Sequence, residues 1–254
     1  MARKYSLPVQ TLEHDMQLAP GLHRLGSPTE DTVNSYLVVE GGEVTLIDAG
    51  LPGHRRLLLA ELDALGLPLA AVRGLLLTHG DSDHIGFAKW LWGETGVPAQ
   101  VHADDVPRAR LEVKKPMSGW GPMKVGAVAG FMWYSARRGG LRIPPVGEVT
   151  PYAGADALDL PGRPRVIHVP GHTPGSVAIH VPQVDAVFLG DTMTTRNVLT
   201  GAQGPRPAPF TLEPEQALSS LERLAGVDAT WVLPGHGPAY DGGVPEAVRL
   251  IREA

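Results

Sequence analysis

Four side chains able to hold a metal ion fall within six residues of this chain: His79, Asp81, Asp83 and His84, in the run THGDSDH from Thr78 to His84. Three more stand in glycine-punctuated turns: His172 in PGHTPGS, Asp191 in FLGDT and His236 in LPGHGP. Imidazole nitrogens and carboxylate oxygens are ordinary ligands of zinc and related ions. Seven such donors are enough for two ions. A lone histidine in a loop is usually a surface or hydrogen-bonded residue. These four sites differ because each shares one context, an apolar strand running into a glycine loop. His14, His23, His54, His102, His168 and His180 lack that context and receive no ligand role.

The elements that must position these donors follow from local pattern. A strand entering a tight loop presents alternate side chains toward one point. His79, Asp81 and Asp83 have that i, i+2, i+4 spacing, with small Gly80 and Ser82 between them. The glycines before His172, Asp191 and His236 allow sharp turns. Strands are expected at 32–39, 44–47, 72–77, 100–102, 165–169, 177–181, 186–189 and 231–233, with a tight turn at Gly41-Gly42. Helical spacing is read over 54–65, 85–92, 104–110, 213–224 and 245–252. Strands alternating with helices in two halves predict a layered α/β architecture. Asp48 ends a strand in LIDAG, and its expected part is to orient a histidine ligand. Residues 114–147 differ in composition, with a weak helix over 125–138, and read as an insertion over the site within a single 1–254 domain.

Composition narrows the classes. At 254 residues and 43% hydrophobic, the chain can bury a sizeable core. Net charge is -5, which argues against a nucleic-acid binder. The chain has no cysteine, so no thiolate site, disulfide or cysteine nucleophile exists. No apolar run is long enough to span a membrane. The first residues, MARKYSLPVQTLEHD, lack the apolar stretch of a secretory leader, and a cytoplasmic location is expected.

With LIDAG, THGDSDH, PGHTPGS, FLGDT and PGHG in this order, the chain resembles the metallo-β-lactamase superfamily over most of its length. The resemblance implies a four-layer αββα sandwich, two mixed β-sheets face to face with helices outside, and a dinuclear site at one sheet edge. It also implies a ligand set. One ion would take His79, Asp81 and His172; the other would take Asp83, His84 and His236; Asp191 would bridge them. The common motif is H-x-H-x-D-H, and this chain has Asp81 at the second position. The formal charge of the loaded site then falls from about +1 to about 0. A carboxylate is also the harder ligand, which moves preference from zinc toward iron or manganese.

The implied chemistry is metal-assisted hydrolysis. Two ions sharing a water bring its pKa toward ~7 and supply hydroxide at neutral pH. Asp83 is the expected catalytic residue, as ligand and proton relay. The insertion offers a substrate wall in Trp120, Met123, Phe131, Met132, Trp133 and Tyr134, with Arg137, Arg138 and Arg142 as anion contacts. Packing of the insertion, or a homodimer contact, explains the same residues equally well. An ester, lactone or thioester of a small, partly apolar molecule fits the pocket reading. The alternative is a diiron oxidoreductase acting on O₂ or NO, suggested by the carboxylate at position 81; the flavodiiron-like branch is similar in having one there. The sequence runs 18 residues past His236, so no fused flavin domain is expected.

Overall fold

A computed structural model describes residues 16–26, 30–113, 121–152 and 157–254. The first sheet holds seven strands in chain order: β1 (Gln17–Ala19), β2 (Leu22–Arg24), β3 (Tyr36–Glu40), β4 (Glu43–Ile47), β5 (Val72–Leu76), β6 (Ala99–Val101) and β7 (Val149–Pro151). Pairing is antiparallel from β1 to β4 and parallel from β4 to β7, so the sheet is mixed. Gly41 and Gly42, both at positive φ, make the two-residue turn between β3 and β4. The second sheet uses β8 (Arg165–His168), β9 (Val177–Val181), β10 (Ala186–Gly190) and, after a small hairpin of β11 (Thr194–Arg196) and β12 (Gln203–Arg206), β13 (Trp231–Pro234). Its order is β13-β10-β9-β8.

Period-two alternation explains why the sheets stack. In β3, Tyr36 and Val38 enter the core between the sheets, while Leu37 faces the outer core. In β10, Phe188 points between the sheets, while Val187 and Leu189 point outward. Helices cover the outer faces. Leu58 and Leu62 of α1 (Arg55–Ala64) and Leu91 of α2 (Ala88–Thr95) complete the first outer core. Leu221 and Leu224, in the tight turn after α5 (Pro214–Ser220), and Val244, Ala247 and Ile251 of α6 (Val244–Glu253) complete the second. Three cores between four layers give the αββα sandwich.

Two further helices lie at the site. The short α3 (Val106–Ala109) follows a 3-10 turn at Ala103–Asp105. The longer α4 (Val125–Arg137) lies in the segment read as an insertion and buries none of its residues. It is tethered at both ends: Lys124 N donates to Leu199 O, and Gly53 N donates to Arg138 O, each at 2.8 Å. Trp120 lies outside the described residues. No helix among those described is long and apolar enough to cross a membrane.

Candidate metal centre

The loop after β5 and the loops after β8, β10 and β13 meet at one edge of the sandwich. His79, His172 and Asp191 form one cluster of donors, and Asp83, His84 and His236 form another, each within 4.8 Å. Asp191 spans both: Oδ2 lies 3.6 Å from His172 Nε2 and 3.3 Å from His236 Nε2, and Oδ1 lies 3.5 Å from His84 Nε2. Asp81 Oδ2 adds a donor 3.6 Å from His172 Nε2 and 4.0 Å from His79 Nε2. Asp83 Oδ2 stands 3.5 Å from His236 Nε2. Donors around a four-coordinate ion, with bonds of ~2.0–2.2 Å, sit about 3.3–3.6 Å apart. Most of these spacings suit an ion.

The backbone explains the convergence. Gly171 and Gly190 adopt φ of 139° and 50°, which a side chain would strain. Gly235 differs: it has no positive φ, but a Cβ there would run into Asp191 Oδ1 and the ring of His84. Gly80 likewise has no room, because a Cβ would meet Ala109 N and Asp105 O at 2.8 Å. Asp105 is fully buried and joins two ligand loops, accepting from Gly80 N at 2.7 Å, Thr173 Oγ1 at 2.7 Å and Gly175 N at 2.9 Å.

Every histidine of the cluster is oriented through Nδ1. His84 Nδ1 donates to Asp48 Oδ2 at 2.9 Å, and His236 Nδ1 donates to Thr32 O at 2.5 Å. His79 Nδ1 reaches Thr78 Oγ1 at 3.1 Å, whose own hydrogen goes to Asp48 Oδ2. His172 Nδ1 reaches Thr211 Oγ1 at 3.2 Å, whose hydrogen goes to Ala208 O. A hydroxyl that spends its proton elsewhere must accept, so both rings carry the proton on Nδ1. The Nε2 lone pairs then face inward. His79, His84 and His172 Nε2, with Asp191 Oδ1, are buried with no hydrogen-bond partner among the described residues. Leaving such atoms unmatched is costly, and divalent ions are the partners they suit.

Electrostatics agree. Burial, then the neighbouring His84 and His172, hold the His79 imidazole well below its usual range, so it is neutral. Burial would lower His84 too, but Asp48 and Asp191 outweigh it and raise it well above the usual value. The same contest, led by Asp191, raises His236. Burial would raise Asp191, yet His236 and His84 hold it well below the carboxylate range. A bound cation would take the place of the Nε2 protons of His84 and His236.

Above the donors is a cleft of about 180 Å³, walled by Leu51, Asp83, Phe131, Ile143, Val198, Pro209 and Phe210, with Asp191 and His236 at its base. Among the described residues, no lysine or arginine lines it. Phe210 holds φ of 64°, in the left-handed region. Of the aromatic residues read from sequence as substrate wall, Phe131 lines this cleft. Trp133 is not: it is 65% exposed and carries Arg137 stacked 5.5 Å from its ring. Tyr134 turns aside to His54 Nε2 at 3.1 Å, and Arg138 stacks on Tyr134 and pairs with Glu30. Met123 and Met132 are exposed, as is Arg142. Leu51, Ile143, Val198 and Phe210 were not anticipated, because apolar residues from separate segments carry no motif. Arg108 and Asp105 were read only as part of a brief helix.

The profile of the Metallo-beta-lactamase superfamily matches residues 28–236. The chain belongs to the metallo-beta-lactamase superfamily. Relatives include an uncharacterized protein of Mycobacterium tuberculosis (strain ATCC 25618 / H37Rv), 33% identical over 80% of this chain and 85% of that protein. The probable metallo-hydrolase YflN of Bacillus subtilis (strain 168) is 25% identical, over 87% of this chain and 85% of its own. A hydroxyacylglutathione hydrolase of Anaeromyxobacter dehalogenans (strain 2CP-C) is 28% identical, over 80% of this chain and 60% of that one. Among solved structures, the metallo-beta-lactamase family protein TTHA1429 from Thermus thermophilus superposes with a TM-score of 0.66 at 26% identity, covering 92% of this chain and 79% of that one. TTHA1623, solved in a di-iron-bound form, superposes with a TM-score of 0.59 at 29% identity, covering 91% and 98%. Membership in this superfamily, with metallo-hydrolase relatives, supports a metal-dependent hydrolase.

Proposed function

We propose that this metallo-beta-lactamase superfamily member is a dinuclear metal hydrolase acting on an ester, lactone or thioester of a small, partly apolar molecule. One observation carries the reading: the buried, unpartnered Nε2 atoms of His79, His84 and His172 converge on Asp191, which with His236 and Asp83 lines a cleft walled largely by apolar side chains. In this reading His79, Asp81 and His172 would hold one ion, Asp83, His84 and His236 would hold the other, and Asp191 would serve both. Zinc is the first expectation for a set so rich in imidazole. Bound ions would supply Lewis acidity and a water activated at neutral pH.

The chain's own residues do the rest. Leu51, Phe131 and Phe210 exclude water and hold the apolar part of the substrate against the ions. Asp83 stands on the cleft wall, its side chain 18% exposed, where it can take the proton of an attacking water and deliver it to the leaving group. The lack of lysine and arginine among the described residues of the cleft favours an uncharged substrate, and so an ester or lactone ahead of a thioester of an anionic thiol such as glutathione.

The test is chelation, reconstitution and a panel of uncharged esters, lactones and thioesters. Stripped protein should lose hydrolysis and regain it with two ions per chain. Hydrolysis surviving complete removal of metal would overturn the proposal. The Asp81 carboxylate favours one second reading, a diiron oxidoreductase. Two irons with a redox-responsive absorption, and no hydrolysis on the panel, would establish it instead.

A further inference from the structure

Asp81 stands where the common motif has histidine, and the structure supplies a counterpart for it. Arg108 Nη1, from α3, donates to Asp81 Oδ1 at 2.8 Å. Both residues are buried, 8% and 5% exposed. The other oxygen, Oδ2, faces His172 Nε2 at 3.6 Å and His79 Nε2 at 4.0 Å. The carboxylate is thus split, one oxygen toward the guanidinium and one toward the donors. A buried guanidinium needs a facing carboxylate, and a second carboxylate set, like Asp191, 3.6 Å from His172 Nε2 needs a facing cation. Each residue answers the cost of the other.

We propose that Asp81 and Arg108 form a matched unit that replaces one histidine of the common motif. Asp81 would present a single anionic oxygen to the first ion. Arg108, a positioning residue, fixes the direction of that oxygen and cancels its extra charge. The formal charge of the loaded site then returns from about 0 to about +1, as in the histidine form. What remains of the substitution is the exchange of nitrogen for oxygen, which shifts the first position toward harder ions such as iron or manganese. This inference rests on the dinuclear reading above.

The experiment counts metal per chain and measures each affinity by chelator competition. It compares the wild type, Arg108→Met, Asp81→His and the double variant Asp81→His/Arg108→Met. Two ions are expected in the wild type. Arg108→Met should weaken one ion by about 10- to 100-fold and leave the other unchanged. Asp81→His alone should be impaired as well, because it leaves Arg108 buried against an imidazole. The double variant should bind two ions again, with its preference shifted further toward zinc. A merely structural arginine would not give selective loss of one ion, nor rescue by a second substitution. Arg108→Met with two ions at wild-type affinity overturns the matched unit, as does a double variant no better than Asp81→His. If Arg108→Met does not fold, the double variant alone decides. A wild type that binds no ion overturns the dinuclear reading, and this inference with it.

Discussion

At the scale of single residues, the histidine cluster works because each ring is fixed by its far nitrogen. Asp48 shows how much one side chain can do: it accepts hydrogen bonds from His84 Nδ1, the Thr78 hydroxyl and the Thr78 amide. Replacing His172 or Asp191 with Ala should abolish both metal binding and hydrolysis, read by metal analysis and a chromogenic ester. Gly235→Ala should weaken metal affinity without replacing a ligand, since its methyl would run into Asp191 Oδ1; unchanged affinity would show that the loop yields. His54 makes a different prediction. Burial lowers its pKa from 6.5 to about 4, opposed by Asp83. The unfolded chain therefore binds the proton more readily between those values. Stability from neutral His54 is complete above the unfolded value and drains away as pH falls from 6.5 toward 4. The full loss is about 3 kcal/mol. His54→Gln should shrink the drop in Tm between pH 7.5 and pH 5 by about 5 °C. An equal drop in both proteins would refute the assignment.

At the scale of elements, α4 is the piece that shapes the substrate space. It buries none of its residues, yet it is tied at Lys124 and Arg138 and lays Phe131 over the cleft. Phe131→Ala should raise KM several-fold with little change in kcat, and removal of 118–138 should raise it further. An unchanged KM in both would leave α4 a packing element only. The elements that the sequence made readable were those with strong period or apolar runs: β4, β5, β9, β10 and α1 lie within a residue or two of expectation. The motif loops were readable for the same reason, since glycine and ligand types sit side by side. β1 and β2 were missed because three residues, QLA or LHR, carry no alternation to see. Asp105 was missed because its meaning depends on partners 25, 68 and 70 positions away. Trp133 misled because an aromatic in an insertion looks the same whether it faces the cleft or solvent.

At the scale of the whole molecule, the donors come from both sheets: four from the loop after β5, three from loops of the second sheet. Ions held there bind the folded chain alone, so they stabilise it by mass action. At a hundred times Kd one ion adds about 2.7 kcal/mol, or roughly 5–10 °C in Tm for a chain of this size. Chelator should lower Tm by that order, and a Tm indifferent to chelator would count against ions in the fold. The burial of the donors is uneven, and this has a kinetic side. His79, His172 and Asp81 are 1–5% exposed at the side chain, whereas Asp83 is 18% exposed on the cleft wall. An ion among the first three would have only buried donors, while an ion beside Asp83 would have one partly exposed donor next to buried His84 and His236. Stripping should therefore proceed in two phases, the Asp83 position emptying first. The enclosed position would exchange more slowly, and until it is equilibrated with chelator or metal it would keep the ion bound as the chain folded. The metal found there would then record the conditions of biosynthesis, and only the outer position would report the buffer.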